Sequence, residues 1–475
     1  MVFNSLFSYM SLTVYIVIFL LVYVYVKKII TKNGFNVISM FILTFSLFYF
    51  VTPFFQTFFK LLRDDSSLFT RLLNQLSDEE IFFNLLISSL CLLLIILSYH
   101  LRFKSRVDNS NTCKQEQIDK GIKNNLYKKL IWITDIIFIV AVLSIILLII
   151  ETGSIKTYLA LGALTRGLDK APTAYIRSSY LQLVTLSVII LVTPYLYIYL
   201  YRFNKSKVIA IKFIISLIFA ILFLLYNQGR APLVIFFLPF LFTIQKQGKK
   251  GFLGLTVMFG IGLFLLNYLD RLFKFLAYGN FVVEEKTNVI TMFLSEFSYP
   301  FTNFSLRNEL IGYSGYRYMY DYLIWPFTMV PSSILELVGF NKESITSISN
   351  INTEAYGFFL GVTPSGGIPV DLLTFNFYQF GYISLIPICF IIGRILRKLD
   401  LIFNFFEKDY AIKILLYRIS FSMINLMNNA DISAIVRNRL DVVVLLIILI
   451  YIYRNTKNTK TKHNNKLPLF TNPQG

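Results

Sequence analysis

The fold class is decided by long apolar blocks such as VIAIKFIISLIFAILFLLY at residues 208–226, which is followed by NQGRAPLV at 227–234. The 208–226 block is almost wholly apolar over the roughly 20 positions that a helix needs to cross a membrane. Similar blocks recur along the 475-residue chain, which is 56% hydrophobic and 15% charged, whereas soluble domains carry about 25% charged residues. The composition predicts an all-α, polytopic integral membrane protein and excludes a soluble enzyme, a coiled coil or a disordered chain.

The apolar blocks predict about 11 transmembrane helices, because in lipid each backbone polar group needs a partner within its own segment. The seventh block is short, and its two prolines mark it as kinked or tilted. The predicted spans are 9–26, 37–59, 81–100, 130–150, 180–201, 208–226, 231–245, 251–269, 372–393, 411–429 and 440–453.

Most of the 45 lysines and arginines lie in one alternate set of loops, which predicts that those loops face the cytoplasm. The N-terminus is then outside and the C-terminus inside. The outer face keeps a slight acidic excess, so the formal net charge of +19 is mainly a consequence of topology. No basic domain with interleaved aromatic residues exists, and a nucleic-acid partner is therefore not expected.

The spans divide the chain into four parts. Residues 1–269 form an N-terminal membrane bundle of about eight helices, 270–371 a large outer (periplasmic) loop, 372–453 the C-terminal membrane helices and 454–475 a basic cytoplasmic tail. Structureless loops of this length are uncommon, and long ordered loops usually carry function. The loop is rich in aromatic residues, and its 317–340 segment is apolar enough to lie in the membrane interface as a re-entrant or amphipathic helix.

Six arginines of the predicted outer face are candidates for binding an anion: Arg166, Arg177, Arg230, Arg271, Arg307 and Arg317. A guanidinium stays charged and binds phosphate through two hydrogen bonds, so such residues suit an anionic headgroup or a pyrophosphate. Arg230 lies in a tight turn between two spans, at membrane depth, where an unpaired charge is costly. The alternative for Arg230 is that its side chain extends to the interface and only stops the helix from shifting.

Five carboxylates of that face are candidates for the chemistry: Glu296, Glu309, Asp321, Glu354 and Asp371. A hydroxyl nucleophile needs a base, and a carboxylate near the membrane can serve once desolvation raises its pKa. Most of the five fit equally well as solvated loop charges. Asp371 differs because it is predicted to cap the N-terminus of the ninth span, a role compatible with a functional one.

Histidine is nearly absent: His100 and His463 are both predicted on the cytoplasmic side, which excludes a histidine base on the outer face. No Cys/His cluster has metal-ligand spacing and no phosphate-binding P-loop occurs, so no metal and no cofactor are predicted. Arg418, Ser422, Asn425 and Asn429 share one face of the tenth span. Such a stripe is either a polar seam between helices or part of a substrate path.

Two of these segments resemble the Wzy-type O-antigen or oligosaccharide repeat-unit polymerases. The NQGRAPLV turn is similar to the Gly/Ser-Arg turn of that family and of the related O-antigen ligases. The stretch TPSGGIPVDLLTFNFYQFGYISLIPICFIIG at 363–393 is similar to the entry into the span after the large loop. The overall pattern of ten or more spans with one large, late outer loop agrees. The chain departs from the ligases because it lacks an outer-face histidine.

The resemblance implies polymerisation of undecaprenyl-pyrophosphate-linked oligosaccharide units into O-antigen or a similar surface polysaccharide. Glycosyl transfer would occur at the periplasmic face of the bacterial inner membrane, in contact with a chain-length regulator protein. Two alternatives remain open, a flippase for lipid-linked oligosaccharides and an O-antigen ligase. The implied catalytic residues are Arg230, Asp371 and Glu354, and the implied pyrophosphate- or glycan-binding residues are Arg307, Arg317, Arg271, Arg166 and Arg177.

Overall fold

The computed structural model describes residues 5–33, 35–59, 68–101, 120–165, 178–227, 230–244, 297–330, 332–339, 346–361, 367–406 and 409–464, with a few isolated positions between 268 and 294. Every regular element in these ranges is a helix. Six of the described helices are long and apolar enough to cross a membrane, which confirms a multi-pass helical membrane protein. They are Leu6–Thr31, Val37–Phe58, Asp78–His100, Leu126–Thr152, Gln182–Phe203 and Lys207–Asn227, and they coincide with the first six predicted spans.

The N-terminal helices are α1 (Leu6–Asn33), α2 (Val37–Ser46), α3 (Thr52–Phe58), α4 (Leu68–Gln75), α5 (Asp78–His100), α6 (Lys120–Thr152), α7 (Ile155–Thr165), α8 (Ser178–Ser187), α9 (Thr193–Phe203), α10 (Lys207–Asn227) and α11 (Arg230–Ile244). The later helices are α12 (Tyr299–Ser305), α13 (Arg307–Ser314), α14 (Tyr320–Met329), α15 (Ser332–Leu337), α16 (Ile348–Leu360), α17 (Leu372–Phe380), α18 (Tyr382–Phe405), α19 (Tyr410–Asn428), α20 (Ile432–Asn438) and α21 (Leu440–Asn464).

Two of the long spans change helix type just before a proline. A π-helical turn at Leu47–Val51 joins α2 to α3, and a 3-10 stretch at Val188–Val192 joins α8 to α9. Pro53 and Pro194 lie near the first positions of the helices that follow. A proline has no N–H, and its ring clashes with the carbonyl four residues earlier, so the regular ladder cannot continue through it. The two prolines in the local sequence therefore account for these irregularities.

Helices α5 and α18 lie side by side and run in the same direction. Asn84 and Tyr382 meet near their first turns, through Arg307, whereas Leu101 and Arg397 meet at the opposite end. Gly393 permits this approach, since a Cβ built there would lie 2.4 Å from the Ile95 carbonyl oxygen. Close packing through a small residue is typical of helices in membranes. The parallel pair places Asn84 and Tyr382 at the same end of the two helices.

The ninth predicted span, 372–393, is not one helix. Helix α17 ends at Gly381, whose φ of 62° is the left-handed conformation that favours glycine, and α18 then continues to Phe405. A Cβ at Gly381 would also lie 3.1 Å from the hydroxyl oxygen of Tyr316. The sequence predicts a single span here because a glycine within an apolar block does not reveal its own φ.

The last predicted span, 440–453, starts deep in the bundle. Asp441, in the first turn of α21, forms a 2.6 Å ion pair with Arg418, near the middle of α19. Arg418 lies ten residues before the end of α19, which corresponds to about 15 Å along a helix. The connection between α19 and α21 therefore turns back into the bundle, and this explains why the apolar part of the last span is short.

The described part of the predicted outer loop is helical and joined to the bundle. All seven residues of α12 are buried, and this helix packs against α4, α5 and α17. The 317–340 segment forms two short helices, α14 and α15, instead of one, with Pro326 inside the first. Leu337 is 87% exposed, and Leu323 and Val338 are also exposed, as an apolar surface in contact with lipid would be. The position of this segment in the membrane interface stays a prediction.

Five predicted spans are not confirmed by helix length and apolar character. The seventh corresponds to a shorter apolar helix, Pro232–Thr243, and the ninth, tenth and eleventh to α17–α18, α19 and the start of α21. The eighth, 251–269, lies almost entirely outside the described residues. Helix α21 continues to Asn464, into the segment predicted to be a tail.

Candidate functional site

Asp371 is completely buried and caps helix α17, as its position in the sequence predicts. Its Oδ1 accepts hydrogen bonds from the backbone N–H groups of Leu373 (3.0 Å) and Thr374 (3.2 Å) and from the Tyr49 hydroxyl (2.5 Å). Its Oδ2 accepts from Asn303 Nδ2 at 2.6 Å. Burial raises the pKa of the Asp371 carboxyl, and these donors oppose that rise. The carboxylate is satisfied by the protein and closed to solvent.

A directional chain of amides supports this carboxylate. Asn352 Nδ2 donates to the Pro369 carbonyl at 3.0 Å and to Asn303 Oδ1 at 3.4 Å. The Tyr378 hydroxyl donates to Asn352 Oδ1 at 3.1 Å. Each amide therefore has its orientation set by the next group, and the chain ends on the Asp371 carboxylate. Fully satisfied buried networks of this kind hold their members in one arrangement.

Three distant segments supply this cluster. Tyr49 lies in the π-helical turn before Pro53, a type of irregularity that frequently occurs at functional sites. Asn303 belongs to the buried loop helix α12, and Asn352 belongs to α16. The cluster thus ties the first half of the bundle, the loop helices and the entry to α17 together at one point.

Arg307 is the buried cation of this region. It is 5% exposed, and its Nη1 donates to Asn84 Oδ1 and, at 2.8 Å, to the Phe304 carbonyl. Its Nη2 donates to the Tyr382 hydroxyl at 2.7 Å, while its Nε is buried without a hydrogen-bond partner. The guanidinium carbon lies 4.5 Å from the Phe304 ring centre and 5.3 Å from that of Phe377.

All protein partners of Arg307 are neutral. Among the described residues, the ion pairs are Lys212–Asp135, Arg317–Asp321 and Arg418–Asp441, and Arg307 takes part in none of them. A buried charge without an opposite charge is expensive, and aromatic rings offset only part of that cost. A buried guanidinium held only by neutral groups is therefore suited to receive an anion.

Arg317 has a different environment although it is also in the loop. Its Nη2 lies 2.8 Å from Asp321 Oδ1 and its Nε 3.1 Å from Oδ2, so the two side chains form a bidentate ion pair. Its Nη2 also donates to the Thr346 carbonyl, and Gln379 donates to Asp321. The charge of Arg317 is compensated within the protein, and the geometry favours a positioning role for it over direct pyrophosphate binding.

The other predicted residues are placed less completely. Glu354 is exposed on α16, a helix that packs against α13, which begins with Arg307. Arg230 begins helix α11, and only its backbone is described. Arg166, Arg177 and Arg271 lie outside the described residues, so their predicted roles stay predictions. The structure therefore brings Arg307, Asp371 and the helix of Glu354 into one region and leaves the remaining candidates open.

At Arg418 and Ser422, the polar stripe of the tenth span faces the interior of the bundle. Arg418 is 1% exposed, pairs with Asp441 and donates to the Ile235 carbonyl on α11 at 3.2 Å. Ser422 donates to a carbonyl of its own helix. Because Arg418 links three helices, this part of the stripe is a polar seam, one of the two roles that the spacing predicts.

Sequence reasoning missed most partners in this region. Tyr49, Asn84, Asn303, Asn352 and Tyr382 are uncharged residues in apolar or loop segments, and no spacing marks them. Their only signal is a polar side chain in a membrane protein, which needs an internal partner. Within the described ranges no group of three or more histidine, cysteine, aspartate or glutamate side chains is placed to hold a metal ion.

No family model, no curated protein and no solved structure matches this chain.

Proposed function

We propose that this chain is a membrane glycosyltransferase that joins undecaprenyl-pyrophosphate-linked oligosaccharide repeat units at the periplasmic face of a bacterial inner membrane. The proposal combines the multi-pass helical fold, the resemblance of the 227–234 and 363–393 segments to Wzy-type polymerases, and the environment of Arg307. The expected product is O-antigen or a similar surface polysaccharide.

Arg307 is the observation that carries the proposal. Its guanidinium is buried near the N-terminal ends of α5 and α18, and none of the ion pairs among the described residues includes it. In the predicted topology these ends face the periplasm, where a lipid-linked pyrophosphate headgroup would lie. A purely structural arginine at such a place would be expected to pair with a carboxylate, as Arg317 does with Asp321.

The reaction matches this arrangement. The oxygen of an acceptor sugar hydroxyl attacks the anomeric carbon of the donor glycan, a new glycosidic C–O bond forms, and the bond to the pyrophosphate oxygen breaks. The leaving lipid pyrophosphate keeps the electron pair, and the hydroxyl proton passes to a base. A fixed guanidinium stabilises the developing negative charge most strongly in a site that excludes water. The donor supplies its own energy, so no nucleotide is required.

The two predicted carboxylates have different environments, which supports different roles for them. Asp371 has four hydrogen-bond donors around it and no exposure, which suits a residue that positions the loop against the bundle. Glu354 is exposed and therefore the better candidate for a proton acceptor. Arg230 begins α11 five residues before Ile235, the residue that contacts Arg418, so its backbone lies roughly one and a half turns from the polar seam.

The proposal is tested in a host strain that lacks the gene. Loss of a polymerase leaves single repeat units on the cell surface, loss of a flippase removes them, and loss of a ligase leaves finished polymer on the carrier lipid. Reintroduced Arg307→Gln and Arg230→Ala variants should restore no long glycan ladder on a silver-stained gel, because the leaving group then loses its stabilising charge.

Arg437→Ala is the matched control, since Arg437 is an exposed arginine on α20 in the same predicted outer face. This variant should restore the full ladder. Immunoblots establish that all variants reach equal abundance in the membrane. A complete ladder with Arg307→Gln at normal abundance would remove Arg307 from the mechanism, and a normal ladder in the deletion strain would refute the polymerase itself.

A further inference from the structure

Four aromatic side chains surround the helix break at Gly381 and are exposed at the protein surface. The ring centres of Tyr318 and Phe380 are 5.6 Å apart, and those of Tyr316 and Tyr318 are 6.2 Å apart. The fourth, Tyr382, packs on the buried Phe377 at 4.8 Å and is itself 49% exposed. In contrast, Tyr322 donates to Asn376 and is half-buried, so not every loop tyrosine is open.

A strained turn holds the most exposed of these rings. Tyr318 and Met319 have φ values of 47° and 67°, and within the described ranges they are the only non-glycine residues with positive φ. Such conformations persist only where the surroundings enforce them, and they concentrate at functional sites. Tyr318 is nevertheless 65% exposed, so its ring does not hold the turn in place.

The surroundings that enforce the turn are well defined. The backbone N–H of Arg317 donates to the Tyr378 carbonyl at 2.7 Å, and that of Tyr318 donates to the Gln379 carbonyl at 3.1 Å. The Arg317–Asp321 ion pair closes the turn from the other side. These contacts fix the backbone at Tyr318, and its ring lies beside that of Phe380. A ring that only anchored the chain in the membrane interface would not require this turn.

Tyr382 connects this surface to the buried charge of Arg307. Its hydroxyl oxygen accepts a hydrogen bond from Arg307 Nη2, so its own proton is available for a further acceptor. A hydroxyl that accepts from a charged group is a stronger donor, because the two hydrogen bonds polarise each other. Tyr382 is 49% exposed and lies two residues after Phe380, so it links the buried cation to the exposed side of the helix break.

We propose that Tyr318 and Phe380 bind the ring of a sugar by stacking, while the Tyr382 hydroxyl donates a hydrogen bond to a phosphate oxygen attached to that sugar. The ligand class is therefore a glycosyl phosphate, the group at the junction of glycan and lipid carrier. This inference rests on the proposed function, since it names the part of the lipid-linked substrate that these residues contact.

The test uses the full chain in lipid nanodiscs and saturation-transfer difference NMR with N-acetylglucosamine 1-phosphate as the probe. Wild-type protein should transfer saturation to the sugar ring protons, and more strongly than to those of N-acetylglucosamine. Tyr318→Ala and Phe380→Ala should each weaken the apparent affinity about two- to tenfold, the range expected for losing one aromatic contact. Tyr382→Phe keeps the ring and should abolish the preference for the phosphorylated sugar.

Tyr313→Ala is the control, because Tyr313 is a comparably exposed tyrosine on α13 that contacts Phe358. It should bind the probe like the wild type, and melting temperatures should show that all variants are folded. Equal transfer from wild type and Tyr318→Ala, or from nanodiscs without protein, would overturn the inference. So would a Tyr382→Phe variant that still prefers the phosphorylated sugar.

The glycan ladder separates failure of this inference from failure of the proposed function. If the Tyr318→Ala and Phe380→Ala variants restore a normal ladder while Arg307→Gln does not, the polymerase stands and this sugar site is wrong. If the deletion strain itself has a normal ladder, the polymerase is wrong, whatever the NMR result.

Discussion

Replacing Asp371 by asparagine tests the buried cluster with the smallest possible change. Both oxygens of Asp371 only accept hydrogen bonds, and asparagine turns one of them into a donor. If the new NH2 group faces Asn303, two donors oppose each other. Asn303 cannot simply rotate its amide, because its Oδ1 accepts from Asn352, and the orientation of Asn352 is set by the Pro369 carbonyl. If the NH2 group faces Tyr49 instead, it also opposes the backbone donors of the cap.

The size of the effect follows from that geometry. Either orientation leaves at least one buried donor without an acceptor, which costs about 1–3 kcal/mol. Asparagine is as good an N-cap as aspartate, so the cap itself contributes little. Tyr49→Phe removes one donor and leaves Oδ1 with two backbone N–H groups, so it should cost less, about 1 kcal/mol. Thermal melting of the purified chain in one detergent should therefore rank wild type above Tyr49→Phe and both above Asp371→Asn.

Glu354→Gln is the matched control for stability, because it makes the same change of carboxylate to amide on an exposed side chain. Its melting temperature should equal that of the wild type. An Asp371→Asn variant that melts like the wild type would show that the described hydrogen bonds do not constrain the amides. If that stable variant also failed to extend the glycan, Asp371 would be a base and the positioning role would be wrong.

Two further predictions concern packing and charge inside the bundle. Gly393→Ala places a Cβ 2.4 Å from the Ile95 carbonyl oxygen and should destabilise the chain by about 1–3 kcal/mol. Gly312→Ala is the control, because its Cβ meets nothing within 4 Å and should leave the melting temperature unchanged. Equal melting temperatures of the two variants would contradict the described helix contact. Arg418→Leu or Asp441→Leu alone should cost about 3–5 kcal/mol by leaving one buried charge, and the double variant should melt higher than either single variant.

Several features followed from local sequence alone. The first six spans are where the apolar runs predict them, because a backbone in lipid must satisfy its hydrogen bonds within its own helix. Asp371 caps the helix that begins at Leu372, since an acceptor side chain directly before an apolar run satisfies its first N–H groups. Even the partner of Arg317 is local, because Asp321 lies four residues later.

Other features depended on contacts between distant segments. The sequence places Asp321 four residues after Arg317, but nothing in it shows that Arg307 is buried without a carboxylate, because the partners of Arg307 come from residues 223 and 75 positions away. The break at Gly381 and the inward turn before Asp441 are likewise invisible in an apolar run. The sequence by itself determined which segments enter the membrane, since that depends on the composition of each segment. Only the tertiary structure decided which charges are left unpaired, since that depends on which segments meet.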